Sequence, residues 1–320
     1  MPLAKSNMHG ALFALLSFGI FSTHDVFVKF LGGLYSPFQI IFFSVLFGLP
    51  LVMLMLIGDS NDGNLRPRHP WWTLARTIAA VITGVSAFYA FSVLPLAETY
   101  AIIFATPLLI TLLAIPVLGE KVGVRRGVAI LVGLVGVLIV LRPGGATFGL
   151  GHAAALMAAV SSSLASVIVR KIGQDERSVV LLLYPMLANL AVMACALPLV
   201  YKPMPLEHLA MVGIIAVLGF LAMICVISAY RKAEAVIVAP MQYSQMIWAV
   251  IYGFLLFGET PDQMTLIGAG VIIASGIYIV LREGRAKAST HSPVLESRSR
   301  METSTMPRIS LMLHRKLRGS

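Results

Sequence analysis

The chain has 320 residues, of which 58% are hydrophobic and only 12% charged, and its mean hydropathy is +0.89. A water-soluble fold of this size needs far more charge to cover its surface, so a soluble globular protein is excluded. The net charge of +10 sits in short loops and in the C-terminal tail rather than in a basic stripe on a soluble fold, which argues against nucleic acid as a partner.

The apolar residues fall in runs long enough to cross a bilayer, without the alternation of barrel strands. Backbone groups find no water in the bilayer core, so such runs must be helices. Ten spans are predicted, near 8–30, 37–57, 72–93, 97–118, 124–141, 151–171, 179–201, 207–229, 235–257 and 263–281. The fold class is therefore all-α integral membrane. The first run lacks a small-residue cleavage site and ends in His24-Asp25 and Lys29, so it reads as a span and not as a signal peptide.

In the first span, Asp25 and Lys29 are four residues apart and share a helix face with Phe18, Phe21 and Ser22. A charge inside a bilayer is costly and is a functional candidate by default. Two readings stand for Asp25. It is a cavity carboxylate that contacts substrate or couples to protons, or half of a pair snorkelling at the outer end of the span. His24 lies about a quarter turn off that face and reads as a hydrogen-bonded helix residue rather than a proton carrier.

Tyr89 in the third span and Tyr184 in the seventh are candidates either for a cavity wall or for packing between helices. The fourth span carries Tyr100, Phe104, Pro107 and Thr111 on one face. Pro107 removes a backbone hydrogen bond and is a candidate hinge or kink. Glu98 opens this span as a carboxylate in water, and Gly119-Glu120 closes it. Gly123, Gly127, Gly133 and Gly136 in the fifth span, with Gly268, Gly270 and Gly276 in the tenth, mark close helix contacts. No strand precedes them and no Gly-Lys-Ser/Thr follows, so they are not a nucleotide loop. Cys195 and Cys225 lie in apolar runs and are too few for a disulfide scaffold or a zinc site.

The ninth span has the sharpest pattern. Gln242, Gln245, Trp248, Ala249 and Tyr252 fall within about 120° at 100° per residue. An amide facing lipid lacks partners. Facing a cavity, the two Gln side chains would serve the edge of a flat ring, and Trp248 and Tyr252 its face. Pro240, at the start of this stripe, is a second structural position. Beyond Arg282 the chain turns polar and basic, and 282–320 is expected to be a disordered cytoplasmic tail. Its end, Ile309 to Leu317, reads as inert or as a short basic segment on anionic lipid.

An internal repeat organises the spans. Ala90 to Glu120 matches Ala229 to Glu259 without gaps, at a constant offset of 139 positions. Each copy ends in Gly-Glu, and each is followed by a Gly-rich span closing on Leu-Arg. Ser22, Val26, Val28, Lys29 and Gly32 match Ser163, Val167, Val169, Arg170 and Gly173 at an offset of 141. The unit therefore has five spans, at 8–141 and 151–281. An odd unit crosses the membrane an odd number of times, so its second copy is inverted. Such repeats place a substrate site near the midplane between the halves. Placing the N-terminus in the cytoplasm puts most loop Lys and Arg, and the whole tail, inside. Only Lys29, Arg142 and Lys202 are then outside. Both termini are predicted to be cytoplasmic.

The duplicated five-helix unit, Pro107 in its fourth span and the closing Gly119-Glu120 resemble the EamA-type repeat of the drug/metabolite transporter superfamily, over essentially residues 8 to 283. The first-span run from His24 to Lys29 is similar to bacterial metabolite uptake carriers, as is Ala239-Pro240-Met241-Gln242-Tyr243 with Phe257 to Asp262. Riboflavin and S-adenosylmethionine transporters are among those it resembles. The resemblance implies a central cavity lined by spans 1, 3, 4 and 6 to 9, with spans 5 and 10 as buttresses. Gln242 and Gln245 stand where S-adenosylmethionine carriers have a basic and an acidic residue.

The expected function is secondary transport of a small metabolite by alternating access in a bacterial inner membrane. Riboflavin uptake leads, S-adenosylmethionine uptake is the alternative, and an amino-acid exporter is third. The partners are a small-molecule substrate and the lipid bilayer, with a homodimer among the states the sequence allows. No HExxH, GxSxG or clustered His is present, so neither an enzyme nor a metal or other cofactor is expected.

Overall fold

The computed structural model describes residues 2–57, 66–120, 122–142, 148–173, 175–176, 178–233 and 235–285. Of the tail predicted at 282–320 to be disordered, residues 282–285 are instead the end of the last helix, and 286–320 lie outside the described residues. Eight spans are single helices: α1 (Pro2–Gly32), α2 (Pro37–Ile57), α3 (Pro70–Val93), α5 (Val124–Leu141), α6 (Leu150–Ile172), α7 (Ser178–Val200), α8 (Leu206–Lys232) and α10 (Gln263–Arg285). Pro37 and Pro70 open α2 and α3, where a missing N–H costs nothing because no intrahelical acceptor exists for it.

The fourth and ninth spans are not continuous. The fourth consists of α4a (Leu96–Ile103) and α4b (Thr106–Leu118), interrupted at Phe104 and Ala105. The ninth consists of α9a (Ala235–Val238), a 3₁₀ turn (Ala239–Tyr243) and α9b (Ser244–Phe257). The structure thus sharpens Pro107 from a hinge or kink in one helix to a residue in the first turn of a new one, just after a break. Pro240 lies in the 3₁₀ turn itself, three residues before Tyr243, and is not the repeat match of Pro107. Phe104 and Tyr243 are matched by the 139-residue offset, so the two breaks are equivalent. Their rings meet edge to face at 5.2 Å, so the broken spans touch at their interruptions.

The most extensive interfaces are α1 with α8, α3 with α6, and α5 with α10. Each joins one repeat to the other, and the first two exchange places when the repeats are exchanged. The halves therefore interlock rather than forming separate lobes, as two inverted copies of five helices should. Small residues allow the approach: a Cβ on Gly268 would come 2.7 Å from the Gly136 carbonyl, and one on Gly136 3.0 Å from that of Gly268. Gly133 and Gly276 are equally crowded, against Leu108 and Tyr243. Gly123, Gly127 and Gly270 have open space beside them, which corrects their reading as contact positions. Hydroxyls add bonds between helices, as from Ser17 to the Ala222 carbonyl at 2.5 Å and Thr83 to Ser161 at 2.9 Å.

The Gly-Glu ending of each repeat has a conformational cause. Gly119 (φ 72°) and Gly258 (φ 65°) cap α4b and α9b in the left-handed region, which glycine alone enters without a Cβ penalty. Glu120 and Glu259 follow the reversal. Glu259 meets Lys29 of the other repeat at 2.7 Å, and Glu120 meets Arg170 of the other repeat at 2.6 Å. Because the second copy is inverted, the two ion pairs lie at opposite ends of the bundle. Arg76 is 1% exposed within α3 and donates to the Leu181 carbonyl at 2.5 Å.

Candidate functional site

The helix face that carries Asp25 packs inward because Phe18, Phe21 and Ser22 beside it are buried. Asp25 is 4% exposed. Its Oδ1 lies 2.8 Å from His24 Nδ1, and its Oδ2 accepts a short hydrogen bond from the Tyr100 hydroxyl of α4a. The same hydroxyl lies 3.4 Å from Ser22 Oγ. The pair suggested by the four-residue spacing is divided: Lys29 pairs with Glu259 and donates to the Leu94 carbonyl at 2.6 Å. Spacing along one helix reports which side chains share a face, not which neighbour captures them.

An ionised Asp25 accepts from Nδ1 and so fixes the imidazole tautomer, leaving Nε2 as the acceptor. The His24 ring forms part of the wall of a cavity of about 110 Å³. A Cβ on Gly219 of α8 would stand 3.8 Å from Nε2, and the ring meets Phe88 edge to face at 6.2 Å. The site therefore presents a carboxylate-backed imidazole to the cavity, with the carboxylate itself one layer behind.

The cavity lies between α1, α2, α3, α7 and α8. Its wall is mostly apolar, with Ile41, Val45, Val52, Phe88, Met186, Ile215, Phe220 and Met223. Ser44 of α2 and Asn189 of α7 add polar groups, and Gly48, Gly84 and Gly219 make room. The five wall helices differ from the lining implied by the resemblance, since α2 contributes and spans 4, 6 and 9 do not. Spans 4 and 6 are occupied with each other, through Thr106 to Ser162 at 3.4 Å and Ser163 to the Thr106 carbonyl at 3.1 Å.

The ninth-span stripe faces α1. Trp248 and Tyr252 stack with centroids 5.7 Å apart. Trp248 covers Gly19, and the Tyr252 hydroxyl lies 3.0 Å from Thr23 Oγ1. Gln242 is partly buried, and Gln245 is fully buried with neither amide atom bonded among the described residues. Tyr100 and Phe104 lie side by side at 5.9 Å and are buried, so only the Tyr100 hydroxyl reaches the dyad. Tyr89 is partly buried and Tyr184 is 38% exposed; neither belongs to this cavity wall. Glu98, read as a carboxylate in water, is bonded to His152 Nε2 at 2.8 Å. The Gly149 amide donates to Nδ1 of the same ring and fixes its tautomer.

Sequence reasoning missed Ser44, Phe88 and Asn189, and gave His24 too small a part. Asn189 had a signal: it is the one side-chain amide in the seventh apolar run. Ser44 and Phe88 had none, because Ser and Phe are ordinary residues of membrane helices.

The sequence profile of the EamA-like transporter family matches residues 8–142 and again 149–282. The chain belongs to the EamA-like transporter family. It is thus a multi-pass membrane transporter with two copies of the EamA unit. Among EamA-like relatives, an S-adenosylmethionine uptake transporter of Rickettsia bellii is 28% identical over 272 residues, covering 85% of this chain and 93% of that protein. A riboflavin transporter of Rhizobium johnstonii is 29% identical over 253 residues, covering 76% and 79%. A pseudopaline exporter of Pseudomonas aeruginosa is 25% identical over 284 residues, covering 87% and 97%. A solved crystal structure with 20% identity superposes with a TM-score of 0.58, covering 89% of this chain and 99% of that one, and supports the fold.

Proposed function

We propose that this EamA-like protein carries S-adenosylmethionine, or a closely similar sulfonium nucleoside, into the cell. The observation that carries the reading is the Asp25-backed His24 in the wall of an otherwise largely apolar cavity. A sulfonium or ammonium group gains from a nearby buried carboxylate and from aromatic faces such as Phe88. The near full-length likeness to Rickettsia S-adenosylmethionine uptake transporters supports the same substrate. Riboflavin is the second reading, favoured by the neutral Ser44 and Asn189 in the wall and by the Rhizobium relative.

Transport proceeds by alternating access, with the N-terminus and the Arg170–Glu120 end in the cytoplasm of a bacterial cell and the Lys29–Glu259 end outside. Rocking one repeat on the other opens one ion pair while the other stays closed. The test is uptake of labelled S-adenosylmethionine into proteoliposomes holding the full chain, with riboflavin as competitor. Saturable uptake is expected, against no uptake into empty vesicles. Riboflavin uptake with no S-adenosylmethionine uptake would replace the first reading by the second.

A further inference from the structure

Asn189 is 6% exposed and lines the cavity, and its side-chain Nδ2 donates to the Pro185 carbonyl at 3.0 Å. That bond decides which way the amide points. Turned over, it would set Oδ1 against a carbonyl oxygen, acceptor against acceptor. Oδ1 is therefore the atom left over, and it has no hydrogen-bond partner among the described residues. Ser44 Oγ, on α2 in the same cavity wall, is likewise buried without a partner. α2 and α7 pack against each other. A buried polar atom without a partner is costly, and two in one cavity wall mark where a bound molecule supplies the missing bonds.

The chemistry of the two atoms restricts that molecule. An amide oxygen only accepts, so Asn189 requires an N–H or O–H donor. A hydroxyl both donates and accepts, so Ser44 serves a ring nitrogen or carbonyl beside that donor. Apolar side chains such as Met186 and Phe220 in the same wall suit a flat ring. We infer that Asn189 and Ser44 read the hydrogen-bonding edge of a planar N-heterocycle, and that Asn189 Oδ1 selects for an N–H donor on that edge. The inference rests on the transport reading above and adds the residues that set its specificity.

Gly84 of α3 supplies an independent handle. A Cβ there would lie 3.5 Å from Asn189 Oδ1, an ordinary contact. Gly84→Ala therefore covers the acceptor while leaving Asn189 and its bond to Pro185 in place, and alanine suits a helix better than glycine.

The test uses the full-length chain in proteoliposomes, with labelled S-adenosylmethionine displaced by S-adenosylhomocysteine or by its analogue with hydrogen in place of the purine 6-amino group. These competitors differ in whether the purine edge carries an N–H donor. The wild type should prefer the adenosyl compound by about tenfold or more. Asn189→Ala and Gly84→Ala should each reduce that preference to about twofold or less, and Ser44→Ala should reduce it part of the way. Wild-type preference retained in Asn189→Ala and Gly84→Ala would overturn the inference while leaving the substrate reading intact. A wild type that binds neither compound removes the substrate reading instead. The same variants are then compared with riboflavin and N3-methylriboflavin. A preference for the free N3–H that Asn189→Ala abolishes supports the donor-edge inference, and its absence overturns it.

Discussion

The two repeats agree where the fold is made and differ where the chemistry is. Gly119 and Gly258, the breaks at Phe104 and Tyr243, and the pairs Arg170–Glu120 and Lys29–Glu259 are all related by the repeat. The dyad is not. His24 and Asp25 correspond to Ala165 and Ser166, and Tyr100 corresponds to Ala239. Asn189 corresponds to Gly48, and Ser44 to Pro185. An inverted duplication supplies a symmetric frame that two end states can share, and a substrate that is not itself symmetric needs a wall that is not.

Even the shared features are not energetically equal. Arg170 and Glu120 have side chains 3% and 9% exposed, whereas those of Lys29 and Glu259 are 10% and 21% exposed. Removing one partner of a buried pair leaves an uncompensated charge. Glu120→Gln should therefore cost about 3–5 kcal/mol. Glu259→Gln, at the wetter end, should cost roughly 2 kcal/mol. Thermal unfolding in detergent measures both. Equal losses would mean that burial does not distinguish the ends. The exchanged variant Lys29→Glu with Glu259→Lys should recover part of the loss.

The next largest effect breaks the asymmetry itself. Asp25→Asn keeps the shape but removes the charge behind His24. Uptake should fall by about tenfold to a hundredfold, and its response to pH should flatten. His24 on α1 and Tyr100 on α4a bond to this carboxylate, and Ser22 meets the same Tyr100 hydroxyl. Ser166→Ala, the matched position in the other repeat, should transport like the wild type. An unchanged pH response in Asp25→Asn would remove Asp25 as the coupling group.

The glycine caps test the symmetric side. No atom lies within 4 Å of a Cβ placed on either Gly119 or Gly258, so substitution is resisted by backbone conformation alone. Gly119→Ala and Gly258→Ala should each cost about 1–2 kcal/mol, and by the same amount within error. A difference larger than that would show that one cap carries a load the other does not.

This division also explains what could be read from the residues alone. Hydropathy and the constant offset to Ala229 carried the ten spans, the inverted repeat and the importance of Glu120 and Glu259. The breaks were harder, because proline does not determine them. Pro50, Pro185 and Pro198 sit inside continuous helices, while Pro107 and Pro240 mark interruptions. Periodicity found the face shared by Trp248 and Tyr252 but not its neighbour, which is α1 and not this cavity. Asp25 stood out because a charge in a bilayer is expensive, whereas its partners His24 and Tyr100 are set by packing between helices. The cavity wall on α2 gave almost no signal, since a wall that is mostly apolar looks like any other membrane helix.

The smallest expected effect concerns a matched pair whose members differ in satisfaction. Gln245 corresponds to Thr106 by the 139-residue offset. Thr106 Oγ1 lies 3.4 Å from Ser162 Oγ, whereas the fully buried Gln245 amide has no bond among the described residues. Removing a satisfied hydroxyl and removing an unsatisfied amide should therefore move stability in opposite directions. Thr106→Val should destabilise by about 0.5–1 kcal/mol, and Gln245→Met, which keeps the unbranched shape, should stabilise by about 1 kcal/mol. The measurement is thermal unfolding of each variant together with its uptake. Stabilisation with normal uptake would make Gln245 a tolerated defect of the α1–α9b interface. Destabilisation with lost uptake would mean that the amide is bonded in the working carrier, and the asymmetric chemistry would then extend from the dyad into the broken ninth span.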